Sequence, residues 1–416
     1  MERIRSQLPA LAFVPKGRFR PKAELEKGRP PEHAHPRSWN SRQRAHSCPS
    51  APLPPDSEAS VRQLKRRWSH INTSKKITMQ NNPIAPVTGT GTGIGLQDHA
   101  AIGQAANIPV SAATPVVSFS PVVLPVPGRA VDLQMRVSLP ATGSDLPIIL
   151  LSHGQGMSNN LSSLNGYGPL VNFWAAHGFV VIQPTHLSSG TLDLDPQTPG
   201  APMFWRSRVE DMKRILDGRE VIEDSVPQIK GRLDKDRIAV VGHSMGGHTA
   251  GILLGARLTE EDGTEVDMAE PRIKAGVLLA APGGGGEALS AFAAEHLPFF
   301  RHPGFAEMTT PTLVVVGDQD GSPHLTVRGA DWHADPYFLS PSPKCLLSLF
   351  GGGHGLGGIS GYDAAETTDE SPERVAAVQR LSWAYLRSAL YPQDTAWPAA
   401  CAALGQLNEL GWVECK

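Results

Sequence analysis

The stretch Ile238-Ala-Val-Val-Gly242-His-Ser244-Met-Gly246-Gly247 decides the fold of this 416-residue chain. Its apolar run indicates a strand buried on both faces, and the G-x-S-x-G pattern that follows predicts a sharp turn into a helix over residues 248–254. Such a turn lifts the serine hydroxyl clear of the backbone in a strained conformation. Side chains at Gly242 or Gly246 would collide with the flanking strand and helix. Ser244 is therefore a candidate nucleophile.

Strands and helices alternate on both sides of this stretch. Continuous apolar runs predict further buried strands at 148–151, 179–182, 276–281, 312–316 and 345–350. The alternating pattern of 131–139 predicts a half-buried edge strand. Helices are predicted at 170–177, at 205–217 and after Ser371, with Pro372 at the first helical position. This alternation indicates an α/β fold, with a mostly parallel central sheet flanked by helices.

The formal net charge of −2 hides two unlike parts. Residues 1–78 hold 17 Lys and Arg against 6 Asp and Glu, which leaves 21 against 34 for the rest of the chain. Since residues 1–78 are rich in Pro, Arg, Ser and His and show no periodicity, we expect a basic disordered extension there. It is a targeting or nucleic-acid-binding arm, a solvated tail, or a leader before a true start at Met79. Residues 79–119 are expected to be a Gly/Pro-rich linker, and 120–416 a globular domain with no nucleic-acid partner.

Two further features bear on the compartment. No stretch approaches the roughly 18 to 20 apolar residues that span a bilayer, and 8–14 lacks the features of a secretory signal. We therefore expect no transmembrane segment and a cytoplasmic location, with organellar targeting by the basic extension left open. The four cysteines lack C-x-x-C spacing, so a structural zinc site is not expected. Cys401 and Cys415 either pair with each other or stay reduced.

A nucleophilic serine needs a base to take its proton and an acid to orient that base. His354 lies in Gly351-Gly-Gly-His-Gly355, directly after the last predicted strand. Glycines on both sides leave this loop free to bring the imidazole over the serine. The acid comes from Gly317-Asp-Gln-Asp320 at the end of the preceding strand. Asp320 is favoured for this role, with Asp318 as the alternative.

Acyl transfer also needs backbone N–H groups aimed at the developing negative charge. The N–H of Met245, directly after the nucleophile, is one candidate. The other is Gln155, in the loop Ser152-His-Gly-Gln155-Gly156 that follows the first buried strand. The alternative for this loop is an ordinary turn.

The motifs Leu151-Ser-His-Gly154, Gly242-His-Ser-Met-Gly-Gly247, Gly317-Asp-Gln-Asp320 and Gly353-His-Gly355 together resemble the α/β-hydrolase superfamily. They are especially similar to its esterase branch, which contains chlorophyllase-like and platelet-activating-factor acetylhydrolase-like enzymes, dienelactone hydrolase relatives and polyester hydrolases. The resemblance covers about residues 120–391 and implies catalytic roles for Ser244, Asp320 and His354. Dienelactone hydrolases proper use a cysteine where this chain has Ser244.

Substrate contacts are expected in insertions above the carboxyl edge of the sheet. Residues 283–310 form a candidate apolar lid, and Phe299 and Phe300 within it are candidate substrate contacts together with Trp332. The alternative is a cap that simply packs on the sheet. Trp332 and His333 either line the mouth of the site or close the surface.

The expected function is hydrolysis of a moderately hydrophobic small-molecule carboxylic ester through an acyl-enzyme, with no metal and no organic cofactor. An acyltransferase or a thioesterase with the same three residues is the first alternative. A non-catalytic binding protein that keeps the hydrolase fold is the second. The sequence predicts no oligomeric state.

Overall fold

A computed structural model describes residues 102–361, 364–407 and 409–416. The expectations for residues 1–78, and for the linker up to residue 101, lie outside these residues. Twelve strands are assigned in them: β1 Val116–Leu124, β2 Leu133–Pro140, β3 Leu146–Ser152, β4 Val180–Pro184, β5 Leu233–His243, β6 Arg257–Thr259, β7 Glu265–Val266, β8 Ile273–Leu279, β9 Pro303–Gly304, β10 Thr312–Gly317, β11 Lys344–Leu349 and β12 Gly411–Cys415.

Helices connect most of these strands. The α-helices of the described residues are α1 Asn159–Ser162, α2 Gly168–Ala176, α3 Trp205–Asp217, α4 Arg219–Ser225, α5 Met245–Leu253, α6 Ala291–His296, α7 Asp335–Phe338, α8 Pro372–Leu390 and α9 Ala396–Leu404. Helix α3 has the predicted bounds. Helix α8 begins as predicted, because Oγ of Ser371 accepts a hydrogen bond from the N–H of Arg374 and Pro372 follows directly. No helix among the described residues is long and apolar enough to cross a bilayer.

Nine strands form the central sheet in the order β1-β2-β4-β3-β5-β8-β10-β11-β12. The six from β4 to β11 run parallel, and β1, β2 and β12 pair antiparallel at the two edges. The prediction of a mostly parallel sheet is confirmed. Since the carboxyl ends of parallel strands share one edge, the loops after β3, β5, β10 and β11 all emerge there.

Both faces of the sheet are buried. Ile148 and Leu150 face one apolar layer, which contains Val209 of α3, and Ile149 faces the other, which contains Leu381 of α8. The alternation within β3 shows why the parallel strands read as continuous apolar runs, because successive side chains enter opposite layers that are both covered by helices.

Two predictions about the first strands are wrong. The strand predicted at 131–139 is not an edge strand, because β1 pairs outside β2. The linker predicted at 79–119 is also too long. A 3₁₀ turn at Gly103–Asn107 belongs to the body, Ile108 is fully buried, and β1 begins at Val116. The Gly/Pro-rich composition before it concealed this nine-residue edge strand, whose bulge contains Pro121.

The cysteine expectations are also corrected. Cys345 of β11 and Cys415 of β12 form a disulfide, and Cys401 is free. The two residues are direct partners in the antiparallel ladder. No continuous apolar run marks β12 in the sequence. The disulfide between Cys345 and Cys415 could therefore not be predicted.

Candidate active site

Ser244 occupies the turn between β5 and α5. Its φ of 54° lies in the left-handed region that residues other than glycine rarely adopt, so the serine is held in a strained conformation. A Cβ on Gly242 would lie 1.9 Å from the backbone oxygen of Gly246, and a Cβ on Gly246 would lie 2.0 Å from that of Ser152. The prediction that side chains at these two glycines would collide with their surroundings is therefore confirmed.

His354 stands between Ser244 and Asp320. Its Nε2 lies 2.8 Å from Oγ of Ser244, and its Nδ1 lies 2.7 Å from Oδ2 of Asp320. Because an ionised carboxylate only accepts, Nδ1 donates to Asp320 and Nε2 is free to accept from the serine hydroxyl. Asp318 lies elsewhere and accepts from the N–H of Gly351 at 2.8 Å. The arrangement is that of a nucleophile, a base and an orienting acid.

Asp320 has more partners than the sequence suggested. Nε2 of His333 lies 3.1 Å from Oδ2, and Oγ of Ser322 donates to Oδ1 at 2.7 Å. Burial alone would raise the pKa of the Asp320 carboxyl, but the hydrogen bonds from His333 and His354 outweigh it and hold that pKa well below its usual range. His333 is fully buried. It supports the acid and does not line a mouth.

Asp320, His333 and His354 each offer an atom within 4.8 Å of the others, close enough to surround a cation. The hydrogen bonds argue against a ligand role for His354. Nδ1 of His333 faces the carbonyl of Ala281 at 2.8 Å, and Nε2 of His354 faces Ser244. Nε2 of His354 accepts from the serine, so its Nδ1, turned toward Asp320, carries the hydrogen and offers a metal no free electron pair.

The two candidate oxyanion donors lie at the ends of neighbouring strands. Met245 is the first residue of α5, where helical N–H groups have no partner within the helix. Gln155 follows β3, and its side chain is tied to the carbonyl of Ser188 at 2.8 Å. Within the described residues, the backbone N–H of neither has a hydrogen-bond partner. Both are free to bind an oxygen atom.

A relay of hydrogen bonds joins the loops that carry Gln155 and His354. The N–H of Gly154 donates to the hydroxyl of Tyr167 at 2.9 Å, and that hydroxyl lies 2.8 Å from Nδ1 of His243. Nε2 of His243 in turn lies 2.8 Å from the backbone oxygen of His354. Nothing in the sequence around Tyr167 indicated this contact.

Asp369 fixes the other side of the His354 loop. Its Oδ2 accepts from the N–H groups of Gly353 and Gly357, each at 2.8 Å. No sequence pattern marks Asp369, because it lies in an irregular segment before α8. The glycines of this loop suggested mobility, but hydrogen bonds with His243 and Asp369 hold its backbone in place.

A second Ser–His–Asp array lies in the interior. Oγ of Ser152 is 3.0 Å from Nε2 of His186, and Nδ1 of His186 is 3.1 Å from Oδ2 of Asp211. None of the three side chains reaches the surface, because Ser152, His186 and Asp211 are all fully buried. A substrate cannot reach this serine, whereas Ser244 is half-buried and the side chain of His354 is 34% exposed.

The candidate substrate residues lie mostly inside the molecule. Trp332 is fully buried and donates its indole N–H to the carbonyl of Gly284 at 2.7 Å, so it does not line an open mouth. Phe300 is also buried, in one apolar cluster with Met245 and Trp332. Phe299 is half-buried and stacks on Trp205 beside a groove of about 410 Å³ whose lining does not include Ser244. Within the segment predicted as a lid, Phe300 therefore packs inside the protein and Phe299 stays half-exposed at the groove.

Comparison with known proteins gives a consistent result. No protein-family model matches the chain. It is 28% identical over 202 residues to "Cutinase est2" of Thermobifida alba, a match that covers 48% of this chain and 50% of the relative. It is 30% identical over 183 residues to "Cutinase 1" of Thermobifida cellulosilytica and to "Cutinase" of Thermobifida fusca (strain YX), covering 43% of this chain and 51% and 44% of the relatives.

The chain thus spans about half the length of the curated relatives it matches. The similarity supports the superfamily suggested by the motifs, and it gives no support to the chlorophyllase-like or acetylhydrolase-like branches in particular. The sheet order and the similarity to cutinases agree with the α/β-hydrolase fold that the motifs imply.

Proposed function

We propose that the protein is a serine carboxylic ester hydrolase. The observation that carries the proposal is the continuous contact from Asp320 through His354 to Ser244, with 2.7 and 2.8 Å between the hydrogen-bonded atoms. Only a half-buried serine with a base at hydrogen-bond distance can both lose its proton and meet a substrate. The similarity to cutinases supports the same class of reaction.

The geometry assigns one role to each group. Oγ of Ser244 attacks the ester carbonyl while its proton moves to Nε2 of His354, and Asp320 stabilises the imidazolium that results. The carbonyl oxygen gains the negative charge and binds the N–H groups of Met245 and Gln155. His354 then gives its proton to the departing alcohol, which leaves an acyl-enzyme. Water, activated by the same histidine, releases the acid.

The substrate in this proposal is a moderately hydrophobic ester. The similarity to cutinases supports an ester as the substrate. Met157, two residues after Gln155, places one apolar side chain, 97% exposed, next to the oxyanion loop.

The test compares Ser244→Ala, His354→Ala and Asp320→Asn with the unaltered protein on short chromogenic esters. We expect Ser244→Ala and His354→Ala to lose about 10⁴-fold or more in kcat. A fluorophosphonate probe should label the unaltered protein once per chain and Ser244→Ala not at all. Full activity of Ser244→Ala, or labelling at Ser152 instead, would refute the proposal. Product analysis with a competing alcohol then separates hydrolysis from acyl transfer.

A further inference from the structure

Arg208 of α3 is a fully buried arginine in contact with the candidate oxyanion loop. Its guanidinium donates to the backbone oxygen of His153. It also donates to Oγ of Ser188 at 2.6 Å and to Oγ1 of Thr249 at 3.2 Å. These three acceptors are uncharged, which is unusual for a buried guanidinium.

Each acceptor is connected, through the chain or a hydrogen bond, to one of the two oxyanion donors. His153 lies two residues before Gln155, and the carbonyl of Ser188 accepts from the side chain of Gln155. The hydroxyl of Thr249 donates to the carbonyl of Met245 at 3.1 Å. One guanidinium therefore supports both chain segments whose N–H groups would bind the oxyanion.

The charge of Arg208 has no direct counterpart. No carboxylate of the described residues forms an ion pair with it. The acid one turn further along α3 is Asp211, which is already bound by Arg129 at 3.0 Å and by Arg214 at 3.3 Å. A buried charge without an ionic partner is costly, so its retention calls for a functional reason.

The neighbouring histidines do not share the positive charge. Burial, together with the charge of Arg208, lowers the pKa of His153 well below its usual value and that of His248 to about 3. Burial also lowers the pKa of Arg208 itself, to about 9, with nearby Tyr167 and Asp211 opposing the shift. At neutral pH the imidazoles are therefore uncharged and Arg208 is the cation of this region.

We propose that Arg208 is a positioning residue of the oxyanion hole whose buried positive charge stabilises the tetrahedral intermediate formed on Ser244. The inference rests on the proposed function. When the bond between Oγ and the carbonyl carbon forms, the π electron pair moves to oxygen and the serine proton moves to His354. The oxygen thus gains a full negative charge that the bound ester lacks. In a low-dielectric interior the fixed cation favours this state over the neutral ester, so it raises kcat and leaves KM unchanged.

The experiment compares Arg208→Lys, which keeps the charge, with Arg208→Gln, which keeps polar contacts without it. Active sites are counted with the fluorophosphonate probe, so that unfolded protein does not lower the measured kcat. We expect kcat to fall about 10- to 100-fold in the Gln variant at unchanged KM. In the Lys variant, kcat should fall by at most about tenfold.

An alkyl boronic acid supplies the second measurement. It forms a tetrahedral anion on Ser244, so its inhibition constant should weaken in the Gln variant by the same factor as kcat/KM. A purely structural role would lower the fraction of active protein and leave this constant unchanged. Arg129→Gln is the matched control, because the Arg129 side chain is 2% exposed and its charge is paired with Asp211. It should lose stability with kcat within about threefold of the unaltered protein.

Equal kcat and equal boronate inhibition in the Lys and Gln variants would overturn the inference. If Arg208→Gln does not fold, Arg208→Lys decides the question: boronate binding within about tenfold of the unaltered protein supports the inference, and a greater weakening in folded protein overturns it. Ser244→Ala is run in the same assay. Activity that survives in Ser244→Ala overturns the proposed function as well, whereas Ser244-dependent activity that ignores the charge at residue 208 overturns this inference alone.

Discussion

Nε2 of His243 lies 2.8 Å from the backbone carbonyl oxygen of His354. Since a carbonyl only accepts, Nε2 carries the hydrogen and Nδ1 must accept from the hydroxyl of Tyr167. The residue that precedes the nucleophile thus holds the backbone of the base, and Tyr167 passes the same support to Gly154 in the oxyanion loop. One buried series of hydrogen bonds thus positions both the backbone of the base and the oxyanion loop.

The relay predicts that Tyr167→Phe lowers kcat/KM by about tenfold, because the N–H of Gly154 and Nδ1 of His243 both lose a buried partner. His243→Leu should lose more. His243→Gln, whose amide can still donate to the carbonyl of His354, should recover part of the loss. Steady-state kinetics on a chromogenic ester measures all three variants.

Tyr385→Phe is the control for this prediction, because Tyr385 is buried in α8 and its ring packs on Trp397. It should leave kcat/KM unchanged. Activity that is the same in His243→Leu and in His243→Gln would show that the contact with His354 does not position the base.

The catalytic residues could be predicted from the sequence, whereas the residues that support them could not. Ser244, Asp320 and His354 each follow a strand whose apolar run is visible, and parallel strands end at one edge, so their proximity could be expected. Tyr167, His333 and Asp369 act through contacts between segments far apart in the chain. No local periodicity or residue spacing predicts such a contact, because it depends on how the loops pack against the folded sheet.

The two edge strands of the sheet, β1 and β12, could not be predicted for a related reason. β1 and β12 are exposed on one side and pair antiparallel, so they lack the continuous apolar runs that identified β3, β5 and β10. Without β12, the pairing of Cys345 with Cys415 could not be anticipated. Similarly, the aromatic residues of 283–310 could be recognised as apolar but not assigned to a packed or an open surface.

His248 predicts a specific dependence of stability on pH. Both ring nitrogens are buried without a hydrogen-bond partner, and the ring contacts Phe299 and Phe300. Burial, with a smaller contribution from Arg208, lowers its pKa to about 3. Between pH 3 and 6.5 the unfolded chain binds a proton here that the folded protein does not, so stability falls as the pH falls through this range.

His248→Leu removes this proton uptake at similar side-chain volume. Relative to the unaltered protein, it should gain up to about 1.4 kcal/mol of unfolding free energy for each pH unit below about 6.5, and nothing further above pH 7.5. Urea unfolding at pH 7.5 and pH 5.5 measures the difference. A stability difference that is the same at both values would contradict the buried, uncharged state of His248.

The disulfide predicts a stability loss on reduction. Cys345 and Cys415 are 70 positions apart and join the edge strand β12 to β11. Replacing both with serine should lower the unfolding free energy by about 2 to 4 kcal/mol, because the unfolded chain regains the freedom of the closed loop. Chemical unfolding with and without a reductant gives the value, and Cys401→Ser, which alters the free thiol, should change little.

The same bond bears on location. The cytoplasmic location remains a prediction, and a structural disulfide is more typical of an oxidising compartment. If the protein is isolated from its host with Cys345 and Cys415 as free thiols, the cytoplasmic expectation gains support. Isolation with the bond intact would count against it.

The approach of Gly246 to Ser152 gives the sharpest prediction for the fold around the nucleophile. A Cβ at Gly246 would lie 2.0 Å from a backbone oxygen at the end of β3, and backbone on neither side can yield without moving Ser244 or the oxyanion loop. Gly246→Ala should therefore abolish fluorophosphonate labelling or unfold the chain. Gly190→Ala is the matched control, because a Cβ there meets no atom within 4 Å and should leave labelling unchanged. Normal labelling and stability in Gly246→Ala would mean that β3 and α5 do not approach as closely as the turn requires.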